Sequence, residues 1–262
     1  MDILKEHVCH GGRMTYFAHA SDVLGCDMKL GVYTPPQGQQ GKPLPALTYL
    51  AGLTCTEETF AMKGGAQQFA SEHGVILICP DTSPRGIGVD GEDYNWDFGT
   101  GAGFYINATH GDWANNYRME DYVTGELQKI MAGSLNVDMK RQGVFGHSMG
   151  GHGALTLGLK YPGIYKSISA FAPICAPTQC PWGEKAFSGY LGEDREEWKK
   201  HDAVELIRDM DKSQHKPILV DQGLADEFLD VQLKPELLEQ VADETGYPLT
   251  LRRHEGYDHS YY

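Results

Sequence analysis

The sequence has no long apolar run and no excess of basic residues. No segment approaches the roughly 18 consecutive apolar residues that a membrane-spanning helix needs. The 22 lysines and arginines are outnumbered by 36 aspartates and glutamates, which gives a net charge of −14. These acidic residues are scattered along the chain instead of forming a tail. Because the chain lacks a long apolar run, we do not expect a membrane-spanning protein. Because nucleic acid binding requires a basic surface, we do not expect a nucleic-acid-binding protein either.

The chain also lacks the cysteine and histidine spacings that are typical of metal and redox sites. Its six cysteines include no C-x-x-C pair, and its first residues, MDILKEHVCHGG, contain no apolar export segment. We therefore expect reduced thiols in a cytoplasmic protein. His7 and His10 belong to no recognisable metal-ligand motif, and His147 and His152 lack the i, i+4 spacing of helical ligands. No metal site is expected.

Short apolar strands alternate with helical patterns over most of the length. The predicted strands cover residues 29–35, 45–52, 75–81, 143–146, 166–173, 216–221 and 248–254. The predicted helices cover residues 65–74, 120–132, 154–161, 204–210 and 235–245. This alternation predicts an α/β fold with a mostly parallel central sheet and helices on both faces. No linker or repeat interrupts it, so we expect a single domain over residues 1–262. Residues 81–116 are irregular, which is typical of a segment that lines a site.

The segment VFGHSMGGHGAL contains the pattern G-x-S-x-G at Gly146, Ser148 and Gly150. A β-prone run precedes it and a helical pattern follows it. This context indicates a nucleophile held on a sharp strand-to-helix turn, where small residues allow the backbone to approach closely. We interpret Ser148 as the nucleophile. The neighbouring His147 and His152 are expected to point away from the substrate and to serve packing.

A serine nucleophile needs a base and an acid, which follow it in this order: serine, acid, histidine. His259 lies in the loop after the last predicted strand, and His254, at the end of that strand, is the alternative base. Two aspartates are candidates for the acid: Asp221 ends the preceding predicted strand, and Asp226 lies in the loop beyond it. Position favours Asp226, because a loop side chain can reach across to the histidine, but Asp221 remains open.

An oxyanion hole requires two backbone N–H groups directed at the developing negative charge. The residue after the nucleophile, Met149, supplies one of them in this type of turn. The other should come from the loop after an early strand, and Leu53 in LAGLTC has this position. Gly52 would give the loop the freedom to turn its N–H inward.

Several longer motifs make the chain similar to the S-formylglutathione hydrolases of the esterase D family. They include GLTCTEETF, GEDYNWDFGTGAGFY, GHSMGGHGAL, DQGLADEFL and EGYDHSYY, which are far more specific than G-x-S-x-G alone. The resemblance covers nearly the whole chain. It implies an α/β-hydrolase fold and hydrolysis of S-formylglutathione to formate and glutathione, which completes formaldehyde detoxification. It also implies a cytoplasmic homodimer without a cofactor.

The resemblance also assigns the site. The family's nucleophile, acid and base match Ser148, Asp226 and His259, which decides against Asp221, and its oxyanion donors match Leu53 and Met149. Members of the family continue past HSYY through another helix, so we expect this C-terminal helix to be missing at Tyr262.

Three further residues are candidates for the substrate pocket. Trp96 lies in the irregular segment and Trp182 in CPWGEKAF, and both could equally pack in the core. Cys55 lies two residues after Leu53. A general carboxylesterase or acyltransferase for small acyl esters is the alternative function on the same scaffold. A non-enzymatic binding domain is a third possibility, which the intact Ser148, Asp226 and His259 argue against.

Overall fold

The computed structural model describes residues 1–260. Tyr261 and Tyr262 lie outside the described residues, and so does the end of the chain where we expect a helix to be missing. Nine strands form one sheet in the order β1-β2-β3-β5-β4-β6-β7-β8-β9. The strands are β1 (Asp2–Cys9), β2 (Gly12–Ser21), β3 (Cys26–Thr34), β4 (Leu44–Leu50), β5 (Ile76–Pro80), β6 (Val137–His147), β7 (Tyr165–Phe171), β8 (Ile218–Gly223) and β9 (Leu249–His254).

The sheet is mostly parallel, which confirms the predicted fold class. Strands β5, β4, β6, β7, β8 and β9 run parallel to one another, and β1, β2 and β3 join them through antiparallel pairings. The β1–β2 hairpin has no counterpart in the predicted strands. Seven of the eight residues of β1 are exposed, so the strand carries no burial pattern that sequence periodicity could detect.

Helices lie between the parallel strands, and the sequence predicted most of the longer ones. They are α1 (Thr59–Lys63), α2 (Ala66–His73), α3 (Met119–Asp121), α4 (Leu127–Ser134), α5 (Met149–Lys160), α6 (Pro181–Leu191), α7 (Arg195–Lys199), α8 (Ala203–Asp209) and α9 (Pro235–Thr245). A π-helical turn, Tyr122–Glu126, joins α3 to α4, and a second one, Leu229–Leu233, precedes α9. Short 3₁₀ turns cover Pro36–Gln40, Gly111–Asn115, Pro177–Gln179 and Lys212–Gln214.

Alternate residues of the strands pack against different helices. On β5, Ile76 and Ile78 join the core cluster of α4, whereas Leu77 joins the cluster of α2 on the other face. Because successive side chains of a strand point to opposite faces, these two clusters place helices on both faces of the sheet. The largest cluster lies under α5 and includes the long irregular segment at Phe104 and Tyr105.

The loops that carry the predicted site residues follow the carboxyl ends of the parallel strands. In sheet order, β4, β6, β8 and β9 end at Leu50, His147, Gly223 and His254. Loops that leave this edge of a parallel sheet lie close together, which is where α/β proteins bind ligands. Within residues 1–260, no helix is long and apolar enough to cross a membrane.

Candidate active site

Ser148 occupies a strained turn between β6 and α5. Its backbone has φ 58° and ψ −120°, outside the regions that non-glycine residues ordinarily adopt. A Cβ at Gly146 would overlap the carbonyl oxygen of Gly150, and a Cβ at Gly150 would overlap that of Leu50. The two glycines of G-x-S-x-G are therefore required by the close approach of β4, β6 and α5, as the sequence predicts.

Backbone hydrogen bonds hold the turn in this conformation. The N–H of Ser148 donates to Phe171 O at 2.9 Å, and Ser148 O accepts from His152 N at 3.0 Å and from Ile174 N at 3.3 Å. Only 4% of the Ser148 surface is exposed. These bonds anchor the backbone of Ser148 to β7 and to the first turn of α5. The surrounding backbone, and not the serine side chain, therefore maintains the strained conformation.

The loop after β4 lies directly against the serine. A Cβ on Gly52 would come 3.2 Å from Ser148 Cβ, which leaves little space between the loop and the turn. Thr54 N donates to Gly101 O at 3.0 Å and Cys55 N to Gly52 O at 3.2 Å. Leu53 lies between these fixed points. Met149 is the first residue of α5, where a helical N–H has no acceptor within the helix.

Asp226 and His259 form a direct pair. His259 Nδ1 donates to Asp226 Oδ2 at 2.7 Å, and the carboxylate also accepts from Phe228 N at 2.9 Å and from Gln222 Nε2 at 3.2 Å. Burial raises the pKa of Asp226, but the bonds from His259, Phe228 and Gln222 outweigh it and hold the pKa below its ordinary value. A proton on Nδ1 leaves Nε2 of the neutral ring as an acceptor, the form that a general base requires.

The alternative residues form a second pair on the neighbouring strand ends. His254 Nε2 lies 2.6 Å from Asp221 Oδ1, and Arg252 donates to both carboxylate oxygens at 2.7 and 2.6 Å. The ion pair with Arg252 and the bond with His254 lower the pKa of Asp221 despite its burial. Each aspartate therefore has its own histidine: Asp226 pairs with His259, and Asp221 pairs with His254.

The histidines beside the serine differ in role from each other. His152 is buried, bonds Phe104 O at 3.1 Å, and burial lowers its pKa to about 4, which fits the expected packing role. His147 instead bonds the backbone oxygen of His259 at 2.8 Å, and the two rings lie 4.7 Å apart. The expectation that His147 only packs is therefore wrong. Its partner is a main-chain oxygen 112 positions away, which no sequence pattern could reveal.

A row of aromatic rings extends from His259 to the protein surface. Phe228 contacts His259 edge-on with 5.0 Å between ring centroids, and Trp182 lies 4.8 Å from Phe228. The rings of Trp96 and Trp182 are nearly perpendicular, with 5.8 Å between their centroids and 89° between their planes. Trp182 is 7% exposed and Trp96 is 58% exposed. Sequence reasoning missed Phe228, whose position two residues after Asp226 is the available signal.

We predict that Trp96→Ala raises KM severalfold for a glutathione thioester and leaves the free energy of unfolding nearly unchanged. More than half of this ring is exposed, so little buried surface is lost on its removal. Steady-state kinetics and thermal unfolding would measure both effects. Trp113→Ala is the matched control, because Trp113 packs on Phe98 and Tyr190 and should lose stability instead. Unchanged kcat and KM in a stable Trp96→Ala variant would remove Trp96 from the pocket.

Cys55 lies on the loop of Leu53, with its backbone strongly held. Cys55 O accepts from Thr82 Oγ1 at 2.6 Å and from Arg85 Nη2 at 3.1 Å. The half-buried side chain packs against a small cluster that contains Tyr49 and Cys79. Burial raises the pKa of the Cys55 thiol, which slows its reaction with alkylating reagents near neutral pH.

We predict that alkylation of Cys55 inhibits the enzyme, because an adduct would displace the loop that carries Leu53 N. Loss of one oxyanion donor costs about 10²–10³ in kcat. Cys55→Ser should stay active and resist N-ethylmaleimide, whereas Cys26→Ser, which changes another half-buried thiol, should remain sensitive. The assay is residual activity against time of treatment at mildly alkaline pH. Equal sensitivity of Cys55→Ser and the wild type would assign inhibition to a different cysteine.

Among residues 1–260, no group of three or more histidine, cysteine, aspartate or glutamate side chains is arranged to hold a metal ion. The six cysteines, all within this range, are free thiols. His259 is thus in contact with one carboxylate, with an aromatic ring and with the imidazole of His147, the residue that precedes Ser148. Such an arrangement is suited to attack by an activated hydroxyl on an acyl carbon.

Comparison with known proteins agrees with this geometry. The model of the Esterase family, described as "Putative esterase", matches residues 21–262. The chain is 55% identical to S-formylglutathione hydrolase of Mus musculus, over 99% of this chain and 92% of the relative. It is 46% identical to that of Paracoccus denitrificans, over 100% of this chain and 92% of the relative. The structure of an S-formylglutathione hydrolase from Agrobacterium tumefaciens superposes with a TM-score of 0.95 at 46% identity, covering 100% of this chain and 94% of that one. The chain therefore belongs to the Esterase family and, within it, to the S-formylglutathione hydrolases.

Proposed function

We propose that this protein hydrolyses S-formylglutathione to formate and glutathione through an acyl-enzyme on Ser148. The observation that carries the proposal is the bonded pair of His259 and Asp226, which a hydrogen bond from His147 connects to the neighbouring serine held at positive φ. The names of relatives that are 46–55% identical over nearly their whole length supply the substrate. Thioester hydrolysis requires these groups alone, with no redox or metal step.

In the proposed reaction, Ser148 Oγ attacks the formyl carbon while His259 Nε2 accepts the hydroxyl proton. The N–H groups of Leu53 and Met149 would bind the oxyanion of the tetrahedral intermediate. Its collapse breaks the C–S bond, and His259 returns the proton to the departing sulfur of glutathione. A water molecule, deprotonated by His259, then attacks the formyl-Ser148 ester, and its collapse releases formate and regenerates the serine.

Asp226 would act on this reaction through His259. Its bond to Nδ1 fixes the tautomer and the orientation of the ring, and its negative charge stabilises the imidazolium that forms in each step. Gln222, which is fully buried, donates to the same carboxylate oxygen and holds it in place. The depressed pKa of Asp226 keeps the carboxyl ionised throughout the neutral pH range.

Mapping of a covalent probe tests the nucleophile. A fluorophosphonate reacts with an activated serine, so we expect one adduct, on the peptide that contains Ser148, and slower labelling when S-formylglutathione is present. A probe adduct on any other residue, or labelling at Ser148 that substrate does not slow, would contradict the assignment.

The remaining proposals concern the domain organisation, the location and the partners of the protein. We infer that residues 1–262 form one domain, because the strands of one sheet extend from Asp2 to His254. We infer a cytoplasmic homodimer that binds no nucleic acid and no membrane. The exposed edge strand β1 carries Ile3, Leu4 and Val8 at its surface, which is consistent with a subunit contact there. Sedimentation equilibrium would test the dimer, and a monomer at micromolar concentration would exclude it.

A further inference from the structure

His147 links the nucleophile to the loop of the base. It is the last residue of β6 and occupies the first variable position of G-x-S-x-G. Its Nε2 lies 2.8 Å from the carbonyl oxygen of His259. Because a carbonyl oxygen can only accept, the hydrogen of the neutral His147 ring must be on Nε2. The side chain next to Ser148 thus donates to the backbone of the residue that must face Ser148.

The loop that carries His259 is fixed at three places. Ala225 N donates to Tyr257 O at 2.9 Å, and a Cβ at Gly223 would overlap this same oxygen, so β8 and the loop are in close contact. Asp226 holds the ring of His259 at Nδ1. The bond from His147 fixes the third point, the main chain at His259 itself. Asp226 and Phe228 hold the ring of His259, whereas the bond from His147 restrains its backbone.

The opposite side of the His147 ring faces the loop of Leu53. A Cβ at Gly52 would lie 3.5 Å from His147 Nδ1 and 3.2 Å from Ser148 Cβ. The imidazole of His147 therefore lies between the loop of Leu53 and the loop of His259, which we call the base loop. The peptide bond joins His147 directly to Ser148. A displacement of this ring would change the separation of all three parts of the site.

We propose that His147 is a positioning residue, which sets the distance and angle between His259 and Ser148 through the backbone of the base loop. The proposal rests on the roles assigned above to Ser148 and His259, but not on the identity of the thioester. Misplacement of a catalytic group by about 1 Å can cost 10²-fold in rate, so one bond of this kind has a measurable effect on kcat.

The ring of His147 is suited to a place beside a base that becomes charged. Burial, and then the nearby charge of His259, lower the pKa of His147 to about 4. The ring is therefore neutral near pH 7 and does not repel the imidazolium that His259 forms during turnover. A lysine or arginine at the same position would add a positive charge next to that imidazolium.

Three substitutions separate the hydrogen bond from packing. In His147→Gln, the terminal amide N–H reaches about as far as Nε2 and can donate to His259 O. In His147→Asn, the same group is one methylene too short to reach it. His147→Leu preserves apolar volume and has no donor. His152→Gln is the control for the stability of this turn, because His152 also flanks the serine but bonds Phe104 instead of the base loop.

The experiment measures kcat and KM on S-formylglutathione and on p-nitrophenyl acetate, the rate of fluorophosphonate labelling, and thermal unfolding. We expect His147→Leu and His147→Asn to lower kcat about 10- to 100-fold on both substrates with KM changed less than about twofold. Labelling should slow in parallel, because it needs the same base. His147→Gln should recover kcat to within about fivefold of the wild type, and His152→Gln should change the unfolding temperature more than kcat.

Equal kcat in the glutamine and asparagine variants, or losses that follow the unfolding temperature across all four variants, would overturn the proposal. If His147→Leu does not fold, the comparison of glutamine with asparagine decides the matter. The plain ester separates this test from the proposed function: an enzyme that cleaves p-nitrophenyl acetate but not the glutathione thioester refutes the substrate, and the His147 variants are still measured on the ester.

Discussion

Ser148→Ala is expected to lower kcat by about 10⁵- to 10⁶-fold, because it removes the only atom that can form the proposed acyl-enzyme. The fold should be unaffected. The turn is held by the backbone bonds of Ser148 to Phe171, His152 and Ile174, and alanine retains the Cβ and all of these bonds. Steady-state turnover of the thioester, together with circular dichroism and thermal unfolding, measures both parts of the prediction.

Ser167→Ala is a matched control for this change. Ser167 lies on the neighbouring strand β7 and is exposed, so the loss of its hydroxyl should leave kcat unchanged. A folded Ser148→Ala variant that turns over at the rate of the Ser167→Ala variant would exclude nucleophilic catalysis by Ser148.

Asp226→Asn is expected to lower kcat by about 10⁴-fold, which is the effect of this change in other serine triads. The amide would donate to His259 Nδ1 where the carboxylate accepts, so the ring would carry its hydrogen on Nε2 and could no longer take the proton of Ser148. KM should change little, because Asp226 is buried and is expected to act through its bond to His259 and not through the substrate. Kinetics at saturating substrate measure the effect.

Asp221→Asn provides the comparison, since Asp221 forms an analogous pair with His254 one loop away. Its ion pair with Arg252 and its contact with His254 tie β8 to β9, so we expect a lower unfolding temperature with kcat within a fewfold of the wild type. Greater loss of kcat in Asp221→Asn than in Asp226→Asn, at equal stability, would show that the acid is Asp221.

Much of the fold could be predicted from the sequence because burial on both faces of a parallel sheet leaves continuous apolar strands. All five residues of β5 are buried, and the sequence predicts this strand at 75–81. Helix α5 begins at Met149, five residues before its predicted start. Three of the first five residues of α5 are glycines, and glycine is a poor helix former. The close packing of these glycines against β4 and Tyr105 outweighs their low helix propensity.

The site was less accessible to sequence reasoning. The turn at Ser148 has a local signature, because the G-x-S-x-G pattern lies within five residues, although part of what excludes a side chain at Gly150 is the carbonyl oxygen of Leu50 on β4. The choice between Asp221 and Asp226 has no comparable motif, because each lies 33 positions before its own histidine, and the loop position of Asp226 gives only a preference. The correct pairing of aspartate and histidine becomes clear only from the structure, in which the loop of His259 packs on Gly223, or from the resemblance to a known family.

The central claim, hydrolysis of a formyl thioester of glutathione, is tested most directly by comparing kcat/KM on S-formylglutathione, S-acetylglutathione and p-nitrophenyl acetate with the same preparation. We predict the highest value for S-formylglutathione, about 10- to 200-fold above S-acetylglutathione, since the two differ by one methyl group and pockets discriminate such differences by this factor. A value for p-nitrophenyl acetate equal to or above that for S-formylglutathione would contradict the account and favour a general carboxylesterase.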